Sequence, residues 1–363
     1  MRSTRIVAAV AALAAAAVVT QVSPAGAAHV TCGQVITQSI TLDSDVGPCP
    51  NNGIVIGADN ITLNLNGRRV FGTAGPGDRA GVYVFRRTGV TVRNGTVSNF
   101  DGGVVIEGGG NNTVTSVQAR DNVGRGTGAQ RTIYGDGIAV LSSVNNRILN
   151  SRATGNGPFA WIGVYSAVDA DHPRQTTGPS TGNLQEGNQS SDNIRARDGS
   201  LNNPEAAGGR FEPGGSNNTA RNNQFLRNGI DGLQIYSGGG GHVVENNLIH
   251  GNGFFRTAAR RGNGITLFRG NANNVIRNNR ITGNADSGIW VQGPAGANPG
   301  SVGNRILDNY VVRNVALPSI PNANFAPNFD LNDRNPDCDA NVWFGNTYRT
   351  ANPPCTTNGG RRV

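Results

Sequence analysis

Residues 274–284 read Asn-Val-Ile-Arg-Asn-Asn-Arg-Ile-Thr-Gly-Asn, which sets Asn274, Asn279 and Asn284 five apart, with Ile276 and Ile281 two places after the first two. Seven other stretches lie over this one: Gly89/Asn94/Asn99, Asn112/Val117/Asn122, Asn146/Ser151/Asn156, Asn183/Asn188/Asn193, Asn218/Asn223/Asn228, His242/Asn247/Asn252 and Asn304/Asn309/Asn314. Twenty of these twenty-four cells are asparagine, where 47 asparagines in 363 residues would fill about three by chance. Asparagine tolerates left-handed backbone and bonds to nearby main chain, so the columns mark corners. Five residues between corners leave room for a short strand. Apolar residues two places after the first column (Val114, Ile148, Val244, Ile276, Ile306) and after the second (Phe225, Ile249, Ile281, Val311) face inward by strand alternation. A third strand precedes each row, as in Gly81-Val-Tyr-Val, Gly137-Ile-Ala-Val, Gly232-Leu-Gln-Ile and Gly288-Ile-Trp-Val. Each coil therefore has three short strands and three turns. Coils stacked about 4.8 Å apart bring like corners together as hydrogen-bonded ladders. The pattern predicts an all-β solenoid, a right-handed parallel β-helix of roughly nine coils and about 40 Å over residues 53–314.

The ends carry different signals. Residues 1–27 hold Arg2 and Arg5, an apolar run from Ile6 to Val19 and Ala25-Gly26-Ala27, which reads as a secretory signal peptide and predicts a secreted protein. No segment predicts a membrane span. All 31 basic residues are arginine, and loss of Arg2 and Arg5 would lower the formal charge from +8 to +6. A modest positive balance suits acidic polymers as well as plain solubility. Cys32 and Cys49 lie in an N-terminal cap at 28–52, and Cys338 and Cys355 in a C-terminal cap and tail at 315–363. Pairing within each cap would staple both ends, each closure stabilising by about 3 kcal/mol in the chain-entropy model. Caps are expected where a solenoid exposes unpaired strand edges.

The repeat is interrupted unevenly. The middle corner never lengthens, whereas connections swell after Asn122, Asn193 and Asn252 on one side of the glycine-led strand, and after Tyr165 and Trp290 on the other. Long loops thus flank one sheet and make its outer face the floor of a groove. By alternation that floor carries Tyr83, Phe85, Tyr165, Gln234, Tyr236, Thr266, Phe268, Trp290 and Gln292, an aromatic stripe suited to stacking sugar rings. Phe211 in Gly209-Arg-Phe-Glu is expected to break the register and point inward, leaving Arg210 and Glu212 facing the groove.

The two longest interruptions meet at one coil. The first holds Asp169, Asp171, His172 and Arg174 after Tyr165; the second holds Arg195, Arg197 and Asp198. A histidine or tyrosine beside guanidinium groups has the parts for abstracting a proton next to a carboxylate: arginine neutralises the acid and the base moves the proton. Tyr165, Asp169, Asp171, His172, Arg195 and Arg197 are the candidate catalytic residues, and Tyr83, Phe85, Arg210, Glu212, Tyr236, Phe268 and Trp290 the candidate substrate-binding ones. Asp101, Asp136, Asp231 and Asp286 stand at the start of the groove strands. Asp-Gly turn chemistry explains them first, and a Ca²⁺ site from stacked carboxylates second. No other metal or cofactor is indicated.

Over residues 53–314 the chain resembles the right-handed parallel β-helix proteins of the pectate-lyase-like superfamily. The stretch Thr31-Cys32-Gly33 through Gly53-Ile-Val-Ile-Gly-Ala-Asp-Asn-Ile-Thr-Leu-Asn-Leu-Asn-Gly, and the closing Cys338-Asp-Ala-Asn-Val-Trp-Phe-Gly-Asn, resemble its secreted actinobacterial members. That superfamily includes lyases, hydrolases, epimerases and proteins without a known reaction. The Asn-Thr-Asp, Asp-Asp and Gly-His-Gly set of polygalacturonase-type hydrolases is missing. Mannuronan epimerases carry Tyr-Gly-x-Asp-Pro-His; Tyr165, Asp171 and His172 supply the same residue types at another spacing, with Pro173 after the histidine. The resemblance implies a polysaccharide lyase or C5-epimerase acting, as a monomer and without a nucleic-acid partner, on an acidic, uronate-containing polysaccharide. The alternative is a non-catalytic polysaccharide-binding or cell-surface structural β-helix.

Overall fold

The computed structural model describes residues 27–363 apart from 76–78, 125–134, 159, 166–177, 197–199, 201–205, 237–238, 256–260 and 319–326. Short parallel strands stack in register to form a β-helix. The glycine-led strands make one sheet of twelve strands, and the other two faces join into a sheet of twenty-two. The stack extends beyond the asparagine rows. Gln34–Ile36 opens the twelve-stranded sheet, while Leu331–Asp333 and Ala351–Asn352 close it.

The inward columns follow the apolar positions of the sequence. One runs Leu63, Val92, Val114, Ile148, Gln185, Ala220, Val244, Ile276, Ile306 and Trp343, each paired to the next by strand register. A second runs Val97, Ala119, Ala153, Ser190, Phe225, Ile249, Ile281 and Val311. Packing thins in the coil of Gln185 and Ser190. Phe225 compensates one coil on, its ring closing over Gly208 and Gly209, where any Cβ would meet it within 3.1 Å. Gln185 is fully buried, and neither its amide nitrogen nor its oxygen has a hydrogen-bond partner. The glycine that opens each groove strand is set by close approach. A Cβ on Gly103, Gly232 or Gly264 would stand 2.3, 2.7 or 2.6 Å from the carbonyl oxygen of the next coil.

The asparagine columns are ladders, and they are buried. Asn146 donates its backbone N–H and Nδ2 to Oδ1 of Asn183, both at 2.9 Å, and Asn183 does the same to Asn218 at 2.9 and 3.0 Å. The third column ends on a carboxylate, since Asn314 donates both groups to Asp330 at 2.9 and 3.0 Å. The corners themselves are turned by the residue before each ladder position. Asn111, Asn145, Asn217 and Asn273 precede the first column, and Asn150, Asn222, Asn246 and Asn278 the second, all with φ between +46° and +58°. The sequence reading merged these two positions because asparagine suits both. Its first row is shifted by one for that reason. Gly89, Asn94 and Asn99 are the left-handed residues, and the N–H groups that meet the ladder belong to Val90 and Phe100, which donate to Asn112 and Asn122. Cys32–Cys49 and Cys338–Cys355 are disulfides, as expected.

Candidate functional site

Register places the outward side chains of the twelve-stranded sheet in two columns. The first runs Tyr83, Val105, Ala139, Gly163, Arg210, Gln234, Thr266 and Trp290. The second runs Phe85, Glu107 and Leu141, passes the backbone of Tyr165, and continues with Glu212, because Phe211 pairs with Val164, and then Tyr236 and Phe268. Phe211 is fully buried in the core, so Arg210 and Glu212 do flank it on the outer face. The face divides into two halves. Toward the N-terminus Ala80, Val105, Ala139 and Leu141 form a small buried cluster with Tyr83 against it. There Tyr83 donates to Glu107 at 2.7 Å and stacks on Phe85 at 5.7 Å between ring centres.

The other half is polar and cationic. Arg210 and Glu212 form an ion pair at 3.2 Å, with both side chains buried. Asp231 accepts from the N–H of Asn263 (2.7 Å), the hydroxyl of Thr266 (2.9 Å) and the amide of Gln234 (2.8 Å). Arg261 enters at the end of the loop that follows Asn252, and its guanidinium lies 3.9 Å from the Phe268 ring centre and 4.7 Å from that of Trp290. Arg269 lies 5.0 Å from the rings of both Tyr236 and Phe268. Tyr236 and Phe268 are 4.8 Å apart, and Phe268 and Trp290 6.3 Å. Such contacts strengthen when desolvated. Burial lowers the Arg261 pKa to about 10 against the opposing pull of Asp231 and Tyr236. Burial also raises the Tyr236 phenol above its ordinary value, although Arg269 acts the other way. Three arginines thus surround a half-buried phenol that stays protonated at neutral pH.

The sequence-predicted residues fall unevenly on this frame. Tyr83, Phe85, Arg210, Glu212, Tyr236, Phe268 and Trp290 all lie on the one face. Trp290, at 2% exposure beneath Arg261, is closed to a stacking sugar as it stands, while Tyr236 and Phe268 are partly open. The backbone of Tyr165 belongs to this sheet, two coils and so about 10 Å from Tyr236. Arg195 is partly buried, with its carbonyl oxygen against Gly157. Asp169, Asp171, His172 and Arg197 lie outside the described residues. Arg261 and Arg269 escaped the sequence reading, as did the exposed Phe254 and Phe255 on the same loop as Arg261. The swelling after Asn252 was the available signal, but loop length does not say which loop residue returns over the sheet.

The aspartates at the strand starts are engaged by protein groups. Asp101 accepts the N–H and Nε of Arg79 at 3.2 and 3.0 Å, and Asp286 accepts the N–H of Gly262 and Nδ2 of Asn328, both at 2.9 Å. Among the described residues no three His, Cys, Asp or Glu side chains gather as a metal-ligand set, and no helix is long and apolar enough to cross a membrane.

A family model described as the right handed beta helix region matches residues 42–309. No curated protein matches the chain in sequence. Among solved structures it is similar to the Dettilon tailspike protein, with a TM-score of 0.54 and 13% identity over 87% of this chain, which spans only 55% of the tailspike. It is also similar to the A-module of the Azotobacter vinelandii mannuronan C-5 epimerase AlgE6 (TM-score 0.46, 16% identity, 89% of this chain and 80% of that one). For the pectate lyase Pel9A the values are 0.42 and 15%, over 80% and 58%. At these identities the likeness is one of fold.

Proposed function

The chain belongs to the right-handed β-helix family, and we propose that it is a secreted protein acting on an acidic, uronate-containing polysaccharide along the outer face of the twelve-stranded sheet. The reaction proposed is β-elimination or C5 epimerisation. The supporting observation is the group of Arg210, Arg261 and Arg269 around the neutral phenol of Tyr236, on the face whose loops grow. Two disulfides suit an extracellular or periplasmic setting.

In this chemistry an arginine pairs with the uronate carboxylate and makes the neighbouring C5–H more acidic. A base takes that proton. In elimination the electron pair becomes the C4=C5 bond, the C4–O4 bond breaks and O4 receives a proton; in epimerisation a proton returns to C5 from the opposite face. Tyr165 and His172 are the proposed proton carriers, with Asp169 and Asp171 orienting the histidine and Arg195 and Arg197 meeting the substrate acid. Tyr236, kept protonated by burial, fits the donor role.

The test is incubation of purified protein with polygalacturonate, alginate and glycosaminoglycans, with ultraviolet absorbance reporting unsaturated uronate and NMR reporting epimers. His172→Ala should cut turnover about a hundredfold or more at unchanged stability; unchanged turnover sinks the assignment. Silence in both assays, with the polymer still retaining the protein, is the outcome for a binding role without catalysis. That second reading is favoured by the prior engagement of Arg210 with Glu212 and of Trp290 with Arg261.

A further inference from the structure

A cationic recess lies beside the last ladder corner, at the segment that leads into the strand Leu331–Asp333. It is a cleft of about 370 Å³ lined by Arg313, Arg349, Arg362, Phe329, Asp330 and Thr350, among others. The three arginines come from separate segments: the left-handed corner after the strand Tyr310–Val312, the turn after Thr347–Tyr348, and the strand Arg361–Arg362. Nε of Arg362 donates to the Arg349 carbonyl at 3.1 Å, which ties two of the segments together. None of the three forms an ion pair with a carboxylate among the described residues.

Asp330 is the one acidic side chain in the lining, and its oxygens are engaged elsewhere. One accepts Asn314 at 2.9 and 3.0 Å; the other accepts the N–H groups of Arg349 and Thr350 at 3.0 and 3.1 Å. Asp330 therefore holds the walls of the cleft in place, and the lining sets Arg313, Arg349 and Arg362 against this one acidic side chain, with Val363 beside them. Like charges held together in this way favour an oxyanion, which guanidinium groups bind with directed hydrogen bonds. The volume is far more than a bare oxyanion fills and lies in the range of small-molecule pockets, roughly 300 to 1,000 Å³. Phe329 supplies an apolar wall and Thr350 a hydroxyl, the mixture that a sugar ring with a charged substituent needs.

We infer that this cleft binds a carboxylate-bearing sugar residue of an acidic saccharide. The inference does not require turnover in the groove, and its test reads the cleft itself. The ¹⁵N-labelled full chain is titrated with trigalacturonate, with maltotriose as a neutral saccharide of the same length, and with sodium sulfate, while the amides of Asn314, Thr350 and Arg362 are followed by NMR. Trigalacturonate should move all three and maltotriose should not. The Arg349→Gln/Arg362→Gln double variant should weaken that response about tenfold or more, as should Arg313→Gln to a smaller extent. Because these side chains are exposed, the variants keep the fold, and their unchanged thermal unfolding checks this. No movement with trigalacturonate, equal movement with maltotriose, movement with sulfate only (an adventitious ion only), or full affinity in both variants overturns the inference.

Discussion

At the middle corner Asn188, Asn223, Asn247, Asn279, Asn309 and Asn346 stand one above another, each side-chain amide bonded to the next at 3.0 or 3.1 Å. On the twelve-stranded sheet Arg210, Gln234, Thr266 and Trp290 occupy one column at the same spacing, yet no two are alike. Both sets are buried. In the ladder, translation by one coil carries every donor onto an acceptor, so repetition alone satisfies the polar groups. In the groove column, pairing has to be found sideways, through Glu212, Asp231 and Arg261, and it leaves the Oε1 of Gln234 without a hydrogen bond. The ladder satisfies its polar atoms by repetition, whereas the polar groups of the groove column meet unlike partners.

The largest loss of stability is expected at the ladder. Asn223→Ala would strand the donors of Asn188 and the carbonyl of Gln185, and should cost about 3 kcal/mol, read as a lower urea midpoint; a loss under about 1 kcal/mol would deny the ladder its structural role. His242 offers a reversible version of the same cut. It replaces an asparagine in the first column, accepts the N–H of Asn218 at 3.2 Å, stacks on Phe211 at 4.7 Å, and has its pKa lowered to about 4 by burial. Between pH 6.5 and 4 the unfolded chain therefore binds more protons than the folded one. Stability is full above 6.5 and should fall by about 3 kcal/mol as pH drops to 4, and His242→Asn should flatten that slope.

The groove should respond the other way. Arg269→Met removes an exposed guanidinium from beside Tyr236 and Phe268 and keeps a side chain of similar length, so stability should change by less than about 1 kcal/mol, while affinity for polygalacturonate falls about tenfold. Equal losses of stability and affinity would erase the distinction between the two regions. Gln185→Met, in the thin coil of the core, should stabilise by about 1 kcal/mol because a buried amide without partners is removed, measurable as a raised melting temperature. The smallest effect belongs to the outer surface. Arg221 holds the Glu186 carboxylate below its ordinary pKa across 2.9 Å, yet both are solvated, and Glu186→Gln should cost under about 0.5 kcal/mol.

The site was legible in part, and the boundary is instructive. Arg210, Glu212, Tyr236, Phe268 and Trp290 could be placed on one face because strand alternation has a fixed period of two. Phe211 does turn inward, but without the break of register expected for it: Gly208, not Gly209, stands at the strand-opening position, and the pairing through Gly209 and Phe211 is regular. Arg261 was not legible, because nothing in a loop of irregular length specifies where a side chain re-enters. Nor could alternation distinguish an outward position from an exposed one: Trp290 points out of the coil and is still covered, by a guanidinium from the neighbouring turn. The one-residue shift of the first asparagine row has a local cause, since the ladder position and the left-handed position adjoin and accept the same residue type.

The coil was legible in the sequence alone: its three strands, its asparagine ladders, its core columns and its stapled ends. These depend on short-range periodicity repeated many times, so local errors average out. Which charges meet depends on packing between coils. Arg261, Tyr236 and Arg210 come together, and Arg313, Arg349 and Arg362 line one cleft, because stacking places residues far apart in the chain within a few ångströms, and no sequence period encodes that meeting.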